Sequence, residues 1–195
     1  MKNKLIIKMK RKYSKFYKSL DNNQQRLLKV LEFLIIFNLL AIPLQVIIHF
    51  NVNLYQLAFI ERTHVSVLLD LFGIKHYLTD LSTTTGMIPA INLNDKILAI
   101  GEPCTAFRSI LAFSALVIAS PRDKNYKKKA LMLIPIIYVF NVLRITSLAM
   151  ITISNPSLFE LLHVVLWREG LVFLILILWY YWFSTSQNTF YTQPQ

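Results

Sequence analysis

Four apolar runs decide what this chain can become. They cover roughly residues 30–50, 104–119, 130–153 and 163–183. About 18 or more apolar residues in a row can cross a hydrocarbon core of about 30 Å as a helix. With 55% of 195 residues hydrophobic and a mean hydropathy of +0.48, the chain is too apolar for an ordinary soluble domain. The expected fold is an all-α polytopic membrane protein, one domain over 1–195 with about four transmembrane helices.

Charge orients the runs. Residues 1–29 carry ten Lys or Arg against one acid, Asp21, and the loop 120–129 carries five against Asp123. The segment 51–103 holds three basic residues (Arg62, Lys75, Lys96) and five acids (Glu61, Asp70, Asp80, Asp95, Glu102). Cytoplasmic loops are rich in Lys and Arg, so 1–29 and 120–129 are expected inside and 51–103 outside. Both termini, including the polar tail 184–195, are then cytoplasmic. The net charge of +11 fits this topology and contact with anionic lipid rather than nucleic acid. For the basic tail, lying on lipid and a disordered orienting segment are both open readings.

Between the first two runs, apolar residues recur at helical spacing: Leu54, Leu57, Ala58, Val65, Leu68, Leu69 and Phe72, with Gly73 as a stop. The polar middle, Glu61-Arg62-Thr63-His64, argues against a span and for an amphipathic helix on the outer membrane face. Residues 82–86 read as a loop. Met87–Leu93 and Lys96–Ile100 around Asn94-Asp95 read as a short extracytoplasmic β-hairpin. Pro43 falls inside the first run, and 179–182 (Trp-Tyr-Tyr-Trp) forms an aromatic belt at the inner end of the last.

The lone cysteine, Cys104, excludes an internal disulfide. It stands where a polar segment enters the second run, and Arg108 lies about 6 Å deeper on the same face. If the third run enters at Ala130, Arg144 sits about 21 Å up and about 9 Å below the outer surface. His163 opens the last run on the outer side. Cys104, Arg108, Arg144 and His163 therefore all fall at the outer edge. An arginine within a span costs at least about 2.5–3.5 kcal/mol, so it either faces a partner inside the bundle or snorkels to the headgroups. Asn141, three residues before Arg144, could orient it. Cys104 is either a packing thiol or a nucleophile whose thiolate nearby arginines favour. His163 is either an interface residue or the group that moves the thiol proton. His49, His64 and His76 lack ligand spacing, and neither metal nor cofactor is expected. Arg168 and Glu169 pair with each other or with Arg108.

In this order, Cys104-Thr105-Ala106-Phe107-Arg108-Ser109, then Asn141-Val142-Leu143-Arg144, then a histidine heading the last run resembles the three motifs of the exosortase and archaeosortase family. Thr105-Ala106 and Val164 stand where that family usually has Ser-Gly and an acid. The resemblance implies a multi-pass membrane cysteine transpeptidase of the cytoplasmic membrane. Its partner is a secreted protein whose C-terminal sorting signal is a short motif, a transmembrane helix and a basic tail, and a lipid or glycan could be the acceptor. It implies Cys104 as nucleophile, Arg144 as stabiliser of oxyanion or thiolate, His163 as general base and acid, and Arg108 and Asn141 in support. The other reading of the residues is a non-catalytic membrane scaffold for export or polysaccharide machinery. A transporter would need more intramembrane charge.

Overall fold

A computed structural model describes residues 12–50, 54–84, 86–94, 96–162 and 169–188. Its main elements are helices α1 (Asn22–His49), α2 (Tyr55–Leu71), α3 (Phe107–Ala119), α4 (Lys124–Leu131), α5 (Ile134–Ser154) and α6 (Glu169–Asn188). Strands β1 (Tyr77–Thr83), β2 (Gly86–Leu93) and β3 (Lys96–Ala99) lie between α2 and α3. Short 3-10 turns cover Glu102–Cys104 and Pro156–Leu158, the second leading into a single helical turn, Phe159–Leu161. The chain is thus mostly helical but not all-α.

Among the described residues, one helical stretch, Lys124–Ser154, has the length and composition to cross a membrane, and Phe107–Ala119 and Glu169–Thr185 are shorter apolar helices. α1 packs on α3, and α3 on α6. Leu31, Leu34, Ile35, Leu39 and Ile42 of α1 and Phe173, Leu176 and Ile177 of α6 stay exposed. An apolar face left unburied on helices of this composition is suited to lipid.

The expected hairpin is two strands of a larger meander. The sheet has order β1-β2-β3, antiparallel throughout. Leu93 pairs with Lys96 across a two-residue loop in which Asn94 takes φ +58°, a left-handed conformation that asparagine tolerates. Residues Ser82 and Thr83, read above as loop, close β1 instead: Thr83 pairs with Gly86. In a two-residue hairpin the flanking pair is hydrogen-bonded, and bonding alternates from there. On β2, residues 86, 88, 90 and 92 therefore bond β1, while 91 and 93 bond β3. Pro89, which has no N–H, falls opposite Ile100, just beyond the end of β3. There the single remaining bond, Ile100 N–H to Pro89 O, measures 2.8 Å.

Two apolar cores divide the molecule. One, called the outer core after the side expected from the charge pattern, joins Ala58, Val65 and Leu69 of α2, Ile91 and Leu93 of β2, Ile100, and Val142, Ile145 and Ala149 of α5. α2 ends at Gly73, whose φ of +68° lets Gly73 N–H reach Asp70 O and Ile74 N–H reach Leu69 O. The inner core joins Phe113 and Val117 of α3, Ala130 of α4, Ile137 of α5, and Ile175 and Trp182 of α6. Here the expected aromatic belt divides. The Trp179 indole N–H donates to Ser120 Oγ at 2.8 Å and that of Trp182 to Tyr126 O at 2.9 Å, while Tyr180 and Tyr181 point outward.

Candidate active site

Cys104 ends the 3-10 turn Glu102–Cys104, which Pro103 suits because its ring fixes φ and the missing N–H is not needed there. Cys104 N–H closes onto Gly101 O at 2.9 Å, and the Thr105 hydroxyl donates to Glu102 O at 2.9 Å. α3 opens only at Phe107. The cysteine is thus held in a turn ahead of the apolar helix.

Arg144 does not snorkel. It is 5% exposed, on the α5 face that also buries Ile137, Asn141, Ile145 and Leu148. Its Nη2 donates to the Cys104 carbonyl at 2.8 Å. Asn141 Nδ2 donates to the same carbonyl at 2.9 Å, one helical turn away. The two residues share an acceptor rather than one orienting the other. Arg144 Nε is buried without a partner among the described residues. A guanidinium carries five N–H donors, so this one keeps donor capacity after holding the turn.

The residue that sequence reasoning missed is Glu61. It is 3% exposed, in the middle of α2. Oε1 accepts the Ala106 N–H at 2.8 Å and Oε2 accepts Asn141 Nδ2 at 2.9 Å. Ala106 precedes α3, where backbone N–H groups lack intrahelical partners and the helix dipole favours an anion. Glu61 therefore caps α3 from another helix and holds Asn141 against the Cys104 carbonyl. A signal for it existed. Ala58, Glu61, Arg62, Val65 and Leu69 form one helical stripe, so the acid lies on the apolar face.

The polar segment Glu61–His64 is split, with Glu61 and Arg62 buried and Thr63 and His64 exposed. Arg62 is 5% exposed, with Nη1 reaching Thr79 O at 2.7 Å and Asp80 Oδ1 at 2.5 Å on β1. His64 Nδ1 lies 2.6 Å from the Tyr138 hydroxyl, and His76 Nε2 lies 2.6 Å from Ser66 Oγ. Arg108 pairs with Glu102 through both carboxylate oxygens, the Nε–Oε1 bond at 2.6 Å. That ties the turn to the first turn of α3. His163 and Arg168 lie outside the described residues.

Glu61 and Cys104 both lie outside the apolar helices, and burial acts on both. It lifts the Glu61 carboxyl from 4.5 to about 7, against the opposing pull of the Ala106 N–H, Arg144 and Asn141. It also pushes the Cys104 thiol above its ordinary value, with the Arg144 charge pulling it back. Burial thus favours the thiol at rest, while Arg144 favours the thiolate.

A cavity of about 200 Å³ opens beside the cysteine. Cys104 and Arg144 line it together with β3 and Ile100, Ile145 and Leu148 of α5, and Phe159. A reacting carbonyl placed there would meet a sulfur nucleophile and a fixed cation in one apolar space. Among the described residues no three His, Cys, Asp or Glu converge to hold a metal ion.

Compared with known proteins, residues 23–183 match the family described as transmembrane exosortase. No curated protein and no solved structure matches the chain.

Proposed function

The chain belongs to the transmembrane exosortase family, and from that premise we propose a specific reaction and the residues that perform it. Membership makes it a membrane protein and, at family level, a transpeptidase with a secreted protein substrate. The proposed reaction cleaves a C-terminal sorting signal at the outer face of the cytoplasmic membrane. The new C-terminus then passes to an acceptor amine, or to water. Four membrane crossings with both termini inside complete this reading.

The Cys104 sulfur gives its proton to His163 and attacks the substrate carbonyl carbon. Negative charge gathers on the carbonyl oxygen, where the unused donors of Arg144 stabilise it. The C–N bond breaks, the leaving amine takes the proton from His163, and a thioester to Cys104 remains. The acceptor gives a proton to His163 as it attacks the thioester, and the released sulfur recovers that proton. Because burial favours the thiol at rest, the proton leaves the sulfur as substrate arrives. Arg108 and Asn141 act by fixing the turn.

The single observation that carries this reading is the shared cavity. Arg144 is bonded to the cysteine's own carbonyl, retains a buried unpartnered Nε, and lines one space with Cys104. The test is C-terminal mapping by mass spectrometry of surface proteins from cells lacking the chain, complemented with wild type or Cys104→Ala. A group of proteins should keep its C-terminal apolar helix only with Cys104→Ala. Identical C-termini in both strains would sink the proposal and favour a scaffold.

A further inference from the structure

We infer that the substrate docks as an extended peptide strand added to the free edge of β3. This inference rests on the proposed function, and names how the same site takes its substrate. The ladder's parity supplies the argument. Leu93–Lys96 is a bonded pair, so Leu98 also turns its N–H and C=O toward β2, and the Ile100–Pro89 bond confirms the phase. Ile97 and Ala99 therefore turn their N–H and C=O groups away from the sheet. Both residues are exposed, Ile97 by 53%. No described residue bonds these outward groups.

The opposite edge is treated differently. On β1, the side chain of Asp80, at an outward-facing position of the ladder, is held by Arg62 Nη1 at 2.5 Å and by the Tyr55 hydroxyl at 3.0 Å. On β3, one side chain, Lys96, is tied down, its Nζ donating to Thr152 O on α5 at 2.8 Å. An open edge is a template for another strand, and a peptide backbone has the alternating donors and acceptors to match it.

The occupant follows from where the edge leads. Ile97, Leu98, Ala99 and Ile100 form one wall of the cavity that holds Cys104 and Arg144. A strand on β3 is thus laid beside the thiol with one of its carbonyls within the cysteine's space. The remaining walls, Ile145, Leu148 and Phe159, are apolar. A strand sends alternate side chains to one face, so an apolar residue near the scissile bond enters the cavity while its neighbours face outward. The substrate class is an extended segment with a small-to-medium apolar residue at every second position by the cleavage site.

The experiment uses Cys104→Ala protein in lipid nanodiscs and N-acetyl-Ala-photoleucine-Ala-Ala amide as photocrosslinking probe. Crosslinks should map to β3, Ile100 and the facing part of α5. N-methylating the probe at alternate residues should lower the yield roughly 3- to 10-fold, and at the intervening residues leave it unchanged. Ala99→Pro, which removes an outward N–H without touching the β2 ladder, should lower it similarly. The N-methyl scan needs no altered fold and stands if that variant misfolds. Absent crosslinks, crosslinks mapping elsewhere, or yields indifferent to every N-methyl group overturn the inference. Because Cys104 is absent, a failure of the thiol chemistry cannot produce those results; wild-type processing reports that chemistry separately.

Discussion

The outer and inner cores are built on the same helices and solve different problems. Among the described residues the three buried charged side chains, Glu61, Arg62 and Arg144, lie on the helices of the outer core, together with Asn141. Each of the three bonds main chain outside its own helix: Ala106 N–H, Thr79 O and Cys104 O. The inner core is closed by two indole N–H donors on Ser120 and Tyr126, and a charged neighbour, Arg122, is not fully buried and lies over the Phe183 ring. Helix-on-helix packing needs little more than apolar contact. Holding a sheet edge and a 3-10 turn against a helix requires directional bonds, and charged partners make those bonds stronger. Charge is concentrated where the backbone is irregular, and the candidate nucleophile stands on that backbone.

Four outcomes break or sharpen this comparison. Arg144→Ala should lower processing by roughly 10²–10³-fold, the loss typical of one oxyanion donor. It should also raise the apparent thiol pKa of Cys104, measured by alkylation with a permeant reagent across a pH series. Tryptophan fluorescence from the inner core should stay native. An unchanged rate would divorce Arg144 from the chemistry.

Glu61→Ala should destabilise the protein by about 2–5 kcal/mol, since it leaves the Ala106 N–H and the Asn141 amide buried without this acceptor. Chemical denaturation would measure it. Hydrogen exchange should place the loss in the first turn of α3 and in α2, with the α3–α6 contact protected.

The Glu61 carboxyl also makes stability depend on pH. Its value is about 7 in the folded protein against 4.5 ordinarily, so the folded state binds the proton more tightly. The resulting stabilisation is complete below about 4.5 and is lost as pH rises through about 7. Midpoints of unfolding should fall across that window in wild type. Glu61→Gln has no proton to lose and should lack the slope. An equal slope in both would assign the titration elsewhere.

Trp182→Phe should have the smallest effect. It removes one indole bond to Tyr126 O and should cost about 1–2 kcal/mol by the same denaturation assay, with processing unchanged. A strong loss of activity would mean that the two cores are coupled.

Much of this was legible in the residues. Gly73 ends α2, Asn94 stands in a hairpin turn, and Arg144 and Asn141 share a buried helix face. What escaped has physical reasons. β1 (Tyr-Leu-Thr-Asp-Leu-Ser-Thr) is an edge strand exposed along most of its length, so it carries no apolar alternation to read. Glu61 and Arg62 registered only as polarity that argues against a span, because hydropathy sees a charge and not its partners. The partners are distant: Asn141 is 80 residues from Glu61 and Arg144 is 40 from Cys104. Spacing within one segment cannot reveal such pairs, although the stripe through Ala58, Val65 and Leu69 placed Glu61 inside.

Those separations set an order of birth. Glu61 leaves the ribosome first, Cys104 next, and Asn141 and Arg144 only with α5. Until α5 is in the membrane, the Cys104 carbonyl lacks both of its side-chain donors and Glu61 lacks its amide partner. Cys104 therefore acquires these side-chain bonds only once α5 has been made. A copy ending before α5 would carry Cys104 without the two donors that hold its carbonyl.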